Sequence, residues 1–306
     1  MNYTLNQLRI FVKIVEKESI TKASEELFLT QPAVSIQLKK FQDQFDIPLT
    51  EVIGRKLYVT DFGHEIAKAC EKILAEVEVI NYKALSHQNL LGGNLKIASV
   101  STGKYVAPFF LTEFMREHQG VDLSLDTSNR QNALTKLERN EVDFALVSVL
   151  PKKLNIKGLS LLKNKLYFVG KKGLGVEGQS IKDRLKDYPI LLREEGSATR
   201  TETEKYLENN NIKVNRKVVL ESNEALKQAL IAGIGYSIMP LIGLKSQVEL
   251  GELEIISSDE FPLQTEWNLI WLKEKSLSPV AKEFVKHLEA EKDRITDLHF
   301  SWYEKY

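Results

Sequence analysis

The sequence predicts an all-α N-terminal segment closed by a small β-hairpin, followed by an α/β body. Three observations carry that reading. Residues 1–60 hold three short stretches of helical apolar periodicity, the third opened by a cap residue, with a glycine-centred hairpin after them. Residues 61–91 hold one apolar stripe, Ile66 to Ala84, about three heptads long. Beyond Asn94, short apolar runs such as Phe144-Ala145-Leu146-Val147 alternate with helical patterns, as buried parallel strands and their crossover helices do.

The first helix is predicted over 4–18, with Leu5, Leu8, Phe11, Val12 and Val15 inward. The second turns Ile20, Ala23 and Leu27 inward, and Ala23 is small, as a close helix crossing requires. Thr30 caps the third helix, and Pro32 lies in its first turn, where a missing N–H costs nothing. Val34, Leu38, Phe41 and Phe45 fall at i, i+4, i+7 and i+11 and form its buried stripe. The opposite face carries Pro32, Ser35, Ile36, Lys39 and Lys40, with Gln31 at the tip. Amide and hydroxyl groups to read base edges, lysines for phosphate and an aliphatic group for a thymine methyl suit a DNA major groove. Gly54-Arg55-Lys56 sits between the apolar runs 47–53 and 57–59, which predicts a wing with two cations at its tip. Residues 1–60 hold eight Lys/Arg and seven Asp/Glu, so placement of the cations, not bulk charge, points to nucleic acid. The competing reading is an ordinary three-helix bundle with solvated lysines.

In the long helix, Ile66, Cys70, Ile73, Val77, Ile80 and Ala84 alternate spacings of four and three, a heptad seam that predicts dimerisation. A helix lying on its own core would show the same stripe. Cys70 reads as a small packed apolar residue rather than a redox group. Gly92-Gly93 ends the helix and predicts a hinge.

The α/β body is predicted to hold strands at 94–100, 121–126, 142–149, 159–171, 188–192, 216–220, 235–239, 252–256 and 266–273. Helices are expected at 103–117, 130–140, 179–187, 200–210, 222–232, 240–249 and 277–298. The expected division is 1–60, 61–91 and 92–306. The last part forms two lobes, about 94–164 with 266–306 and about 165–265, joined by crossover strands near 160–170 and 262–270. In open α/β sheets ligands bind beyond the C-terminal ends of strands. That rule selects Ser101 and Thr102, Asn129 and Arg130, Ser148, Ser197, Thr199 and Arg200, and Asn223. Thr199 with Glu202 reads as a capping box, and helix capping alone would also explain these hydroxyls and amides. Lys104, Arg130 and Arg200 each fall in a first helical turn, where a cation opposes the helix dipole at a cost of about 0.3–1 kcal/mol. Three such cations around one cleft predict an anionic ligand.

Composition narrows the class. The chain has 306 residues and 43% hydrophobic content, enough for two or three cored domains, and no apolar run of membrane-spanning length. The N-terminal residues lack a charged-then-apolar signal pattern. With a single cysteine this predicts a cytoplasmic protein. Forty-two charges of each sign cancel, so no global field steers DNA inward. The five histidines are scattered and no metal spacing exists. No nucleophile–base pair or nucleotide loop is legible, so no enzyme and no cofactor are expected.

Residues 5–63 resemble the N-terminal domain of LysR-type transcriptional regulators. The resemblance lies in Leu8-Arg9-Ile10-Phe11, Ser19 to Leu27, Thr30-Gln31-Pro32-Ala33-Val34-Ser35, Pro48-Leu49, Gly54-Arg55-Lys56 and Thr60-Asp61-Phe62-Gly63. It extends more weakly over nearly the whole chain. Ile36 departs from it, since the family usually has a basic residue there, and Thr50 and Val52 replace an aromatic residue and an arginine. Gly196 to Arg200, Glu221 to Ala225 and Gly233-Ile234-Gly235 look like the CbbR-like branch, with Ala198 in place of a glycine. The resemblance implies a winged helix-turn-helix, a linker helix that pairs with its copy, and a two-lobed effector domain similar to periplasmic solute-binding proteins. On this reading Thr30, Gln31, Pro32, Ser35, Ile36, Lys39, Arg55 and Lys56 meet DNA. The implied partners are double-stranded DNA, a small, anionic effector and further copies of the chain as dimer or tetramer, with RNA polymerase a further candidate. The rival from another class is a solute-binding module with no role on DNA.

Overall fold

The computed structural model describes residues 2–54, 56–86 and 91–306. They divide into two compact units, 1–93 with 276–280 and 94–275 with 281–306.

In the first unit Thr4 opens α1 (Leu5–Lys17) through a capping box: its side chain accepts from the Gln7 amide while Gln7 Oε1 accepts from Thr4 N at 2.8 Å. Leu8, Ile10, Phe11 and Ile14 are buried, whereas Leu5, expected inward, is exposed. The helix packs against more than one neighbour, so its buried stripe is broader and rotated toward Ile10 and Ile14. Ser19 caps α2 (Ile20–Glu26), and Thr30 caps α3 (Gln31–Gln42) by accepting from Ala33 N. Between them the chain turns at Phe28, which has φ +54°. Strands β1 (Thr50–Ile53) and β2 (Lys56–Val59) pair antiparallel with Ile53 opposite Lys56, and Gly54 turns the chain after β1. Gly54 takes φ +58°, a conformation that favours glycine; Arg55 lies outside the described residues.

Helix α4 (Asp61–Ser86) begins at once. The Thr60 hydroxyl donates to Pro48 O at 2.8 Å and accepts from Gly63 N at 2.9 Å. A Cβ at Gly63 would stand 2.1 Å from Leu49 O, so only glycine lets the helix start pass this close. Phe11, Val34, Phe41, Leu49, Ala67 and Cys70 share one core.

The second unit runs β3 (Gly92–Val100), a 3-10 turn Ser101–Tyr105, α5 (Ala107–Glu117), β4 (Gly120–Ser128), α6 (Arg130–Glu138), β5 (Phe144–Val147) and β6 (Ile156–Lys171). It continues through α7 (Ile181–Asp187), β7 (Ile190–Arg193), α8 (Ala198–Asn209), β8 (Lys217–Leu220), α9 (Asn223–Ile231), β9 (Ser237–Pro240), α10 (Lys245–Glu249), β10 (Leu253–Ile255), β11 (Leu263–Leu272) and α11 (Pro279–Phe300). A sheet in the order β10-β6-β11-β5-β3-β4, with β9 also on β6, extends through the unit. Strands β6 and β11 pair antiparallel from Leu166–Leu263 to Ile156–Leu272 and thread both lobes. Strand β5 joins β11 at one end, while β9 and β10 join β6 at the other. Strands β7 and β8 form a parallel pair, bridged from Ile190 to Tyr236. One lobe packs Phe114 edge to face on Phe284, with Phe144 tilted against the same ring; the other buries Phe168, Tyr206, Tyr236 and Leu192.

Two predicted helices break. The segment 103–117 divides at Val106 because Gly103 packs its turn onto Ser99, where a Cβ would meet Oγ at 1.9 Å. In 240–249 only Lys245–Glu249 is α-helical, after a 3-10 turn Leu241–Gly243. Gly92 and Gly93 lie inside β3, with Gly93 at φ +133°.

Candidate functional site

The recognition face comes from α3. Val34, Leu38 and Phe41 bury one side, so Gln31, Pro32, Ser35, Ile36, Lys39 and Lys40 all face solvent together with the cap Thr30. Gln42 Oε1 accepts from both Thr50 N at 3.1 Å and Thr50 Oγ1 at 2.9 Å, which ties the wing to the end of α3. In the wing Lys56 stands 5.1 Å from the centre of the Tyr58 ring. On the other side of the unit Lys13 and Lys17 are neutralised by Glu16 and Glu26. Among the described residues no carboxylate pairs with Lys39, Lys40 or Lys56. The exposed cations of α3 and Lys56 of the wing are therefore free for an external polyanion. Phe28 is 95% exposed in the turn before α3, a feature for which sequence pattern gives no signal.

The predicted dimer seam divides. Ile66 and Cys70 pack into the unit's own core, because the start of α4 lies across α1. Burial pushes the Cys70 thiol up to about 11. Ile73 and Ile80 remain exposed and Val77 is half-buried. The side chain of Ala84 is outside the described residues.

The second constellation lies where the two lobes of the effector unit meet. Ser101 follows β3, and its Oγ accepts from Arg193 at 3.2 Å and from Asn223 Nδ2 at 3.1 Å. Arg193, 3% exposed, ends β7, and Asn223 starts α9. Arg193 also donates to Asn223 Oδ1, and its Nε and one terminal nitrogen reach the Glu194 carboxylate at 2.8 and 2.9 Å. Around them Gln131 N donates to Gly196 O at 3.3 Å, and Lys104 stands 3.7 Å from Glu224. Thr102, Ser148 and Ser197 are buried, whereas Asn129 and Thr199 are half-buried.

Several roles differ from expectation. Ser197, not Thr199, caps α8, accepting from Arg200 N, because Gly196 at φ +83° turns the chain two residues earlier. Thr199 therefore lies inside the helix, and no Thr199–Glu202 capping box forms. Lys104 belongs to the 3-10 turn, not to a first α-helical turn. Arg130 opens α6 but donates to Val149 O and Leu150 O at 2.9 and 3.0 Å. Arg200 pairs with Glu204 at 2.8 Å and reaches Arg193 O at 3.3 Å. Both have local acceptors that offset the unfavourable helix dipole. Arg193, absent from the residues that the sequence pattern selects, is the buried cation facing Ser101 and Asn223. It closes the apolar run Ile190-Leu191-Leu192 and reads as a strand end, although its position at a strand's C-terminal edge was the available signal.

The profile of the bacterial regulatory helix-turn-helix proteins of the lysR family matches residues 5–64, and that of the LysR substrate binding domain matches 88–293. The chain belongs to the LysR family. It is 37% identical over 297 residues to the HTH-type transcriptional activator CmpR of Synechocystis sp., covering 96% of this chain and 98% of CmpR. To the RuBisCO operon transcriptional regulator of Acidithiobacillus ferrooxidans it is 34% identical, covering 94% of each. These relatives, with CbbR of Rhodospirillum rubrum at 32%, bear out the CbbR-like branch. Among solved structures, the regulatory domain of Synechocystis CcmR in complex with 2-PG is 31% identical, with a TM-score of 0.61, covering 65% of this chain and 97% of that domain. A full-length OxyR from Pseudomonas aeruginosa shares the fold at 20% identity and a TM-score of 0.68, covering 97% of this chain and 95% of that one. The protein is thus a DNA-binding transcriptional regulator and neither an enzyme nor a plain solute-binding module. Among the described residues no helix is long and apolar enough to cross a membrane.

Proposed function

We propose that this LysR-family regulator acts in the cytoplasm as a homo-oligomer and reads a two-half-site operator through α3. Gln31 and Ser35 address base edges, Thr30, Lys39 and the wing residues Arg55 and Lys56 address phosphates, and Pro32 and Ile36 make apolar contacts. Dimerisation uses the exposed part of α4, Ile73, Val77 and Ile80, with Ala84 continuing the seam. A small anionic effector binds between the lobes, among Ser101, Thr102, Asn129, Ser148, Ser197, Thr199 and Asn223, with Arg193 as its central cation and Arg130 and Arg200 at its rim. RNA polymerase is the candidate partner for activation.

The observation that supports the effector site best is the buried Arg193 guanidinium shared between Ser101 of one lobe and Asn223 of the other. An anion that takes the place of the Ser101 hydroxyl gains a charge-assisted donor and alters the link between lobes in one step. CcmR binds 2-PG in the related regulatory domain, which makes 2-PG the first compound to test. Melting of the full-length protein with 2-PG, inorganic phosphate and sulfate should show a rise for at least one anion. At a hundredfold excess over Kd the stabilisation is about 2.7 kcal/mol. Arg193→Lys keeps the charge, loses the fork and should reduce the shift. If none of these anions shifts the melt, or if Arg193→Lys responds as fully as the parent, the site lies elsewhere.

A further inference from the structure

At about 100° per residue, Pro32 and Ile36 lie within about 30° of the direction opposite the buried Val34–Leu38–Phe41 stripe. The outermost ridge of the recognition helix is therefore apolar. Ile36 is 54% exposed at its crest. Lys39 and Lys40 flank the ridge one turn later, both without a carboxylate partner among the described residues. No arginine lies on α3, so a guanine contact from this face would come from Lys39 or Lys40, which flank the apolar ridge and do not form it. An exposed isoleucine between unpaired cations calls for a surface that is anionic at its edges and apolar at its floor. A second copy of this chain would bring a face with the same cations against them. The major groove offers phosphates on both walls and one apolar group on its floor, the C5-methyl of thymine.

Resting on the proposal that α3 reads DNA, we infer that Ile36 is a specificity-determining residue that selects a thymine by packing on its C5-methyl group. The half-site then carries an A·T pair under Ile36, and the discrimination is by burial, not by hydrogen bonding. Gln31 and Ser35 sit to one side of the ridge and read neighbouring positions.

The experiment uses the full-length protein and a randomised duplex library. Selection should return half-sites with thymine at one invariant position. Replacing that thymine by deoxyuridine removes only the methyl group and should weaken binding about fourfold per half-site, the value for one buried methylene-sized group. Ile36→Ala lies on an exposed helical surface and removes no core contact. It should weaken binding to the thymine duplex and no longer distinguish thymine from deoxyuridine. Ile36→Arg should move the selected base at that position to guanine. The inference is overturned if selected sites contain no methyl-sensitive thymine, or if Ile36→Ala keeps the full deoxyuridine penalty. Failure to enrich any sequence would instead remove the DNA-reading assignment of α3 itself, and a loss of oligomerisation with Ile36→Ala would assign the ridge to a second copy.

Discussion

Replacing Arg193 by methionine tests how tightly the inter-lobe cluster is held. The guanidinium is 3% exposed and binds the Glu194 carboxylate through two nitrogens, the Asn223 amide oxygen and the Ser101 hydroxyl. Methionine fills most of the stem volume, so the loss is electrostatic rather than a cavity. Breaking a buried ion pair on one side costs about 3–5 kcal/mol. The Glu194 side chain keeps 20% of its exposure and regains some water, which brings the expected cost to about 2–4 kcal/mol. For a unit of this size each kcal/mol moves Tm by about 2–4 °C, so Arg193→Met should melt roughly 4–16 °C lower in anion-free buffer. Adding Glu194→Gln removes the stranded carboxylate and should recover most of the difference, since replacing both partners of a buried pair is often near neutral. A single variant that melts with the parent, or a double variant no better than the single, would refute the assignment of Arg193 as a buried, doubly bound cation.

Other consequences are local. Gly63→Ala places a Cβ 2.1 Å from Leu49 O, and because backbone must shift the DNA-binding unit should lose about 1–3 kcal/mol, read from its own denaturation transition. Burial raises the Cys70 thiol to about 11 from an ordinary value of 9.0. The folded state therefore favours the neutral thiol, and this contribution is complete below pH 9 and declines as pH rises toward 11. Cys70→Ala should show a flatter fall in stability over that range, and native Cys70 should resist alkylation at pH 8 until the unit unfolds. Lys165 donates to Tyr303 O at 2.9 Å and to Tyr306 O at 3.2 Å. Lys165→Met should accelerate hydrogen exchange in residues 301–306, and unchanged exchange would show that packing alone holds the C-terminal turn.

Much of this architecture was legible because period and capping agree. Thr30, Pro32 and the Val34–Phe41 stripe specify one helix with one outward face, and in the fold each of them lies accordingly. The strands of the effector unit read clearly because Phe144–Val147 and Ile190–Leu192 are buried on both faces and leave no helical alternative. What failed depended on tertiary contact. The heptad spacing of α4 is the same whether Ile66 and Cys70 meet a partner or their own core, and only the position of α1 decides between them. The start of α8 is not legible in sequence because both Ser197 and Thr199 can cap, and the choice rests on the φ of Gly196. Arg130 and Arg200 were selected for opposing helix dipoles, yet each has a carbonyl or carboxylate from its own lobe within reach. Sequence marks a cation's place on an element but not the acceptor that folding brings to it.

Polar groups link the lobes beside the packing of the Tyr105 ring on the Leu241–Gly243 turn, and those polar links are what an effector can exchange. Here the inner link is the Ser101 hydroxyl with Arg193 and Asn223, and the outer link is Glu224 with Lys104 and Tyr105 at 3.7 and 3.5 Å. Each hydrogen bond contributes about 0.5–1.5 kcal/mol, and the exposed outer pair less than about 1 kcal/mol. A ligand that changes the partners of Ser101 therefore works on the scale of about 1–3 kcal/mol that allosteric coupling requires. Ser101→Ala removes the hydroxyl from the inner link while leaving Arg193 and its Glu194 partner in place. It should speed hydrogen exchange at the start of α9 and change anion affinity while lowering Tm by only a few degrees. Faster exchange with unchanged anion affinity would make Ser101 a strut between lobes and would place the effector on other groups around Arg193.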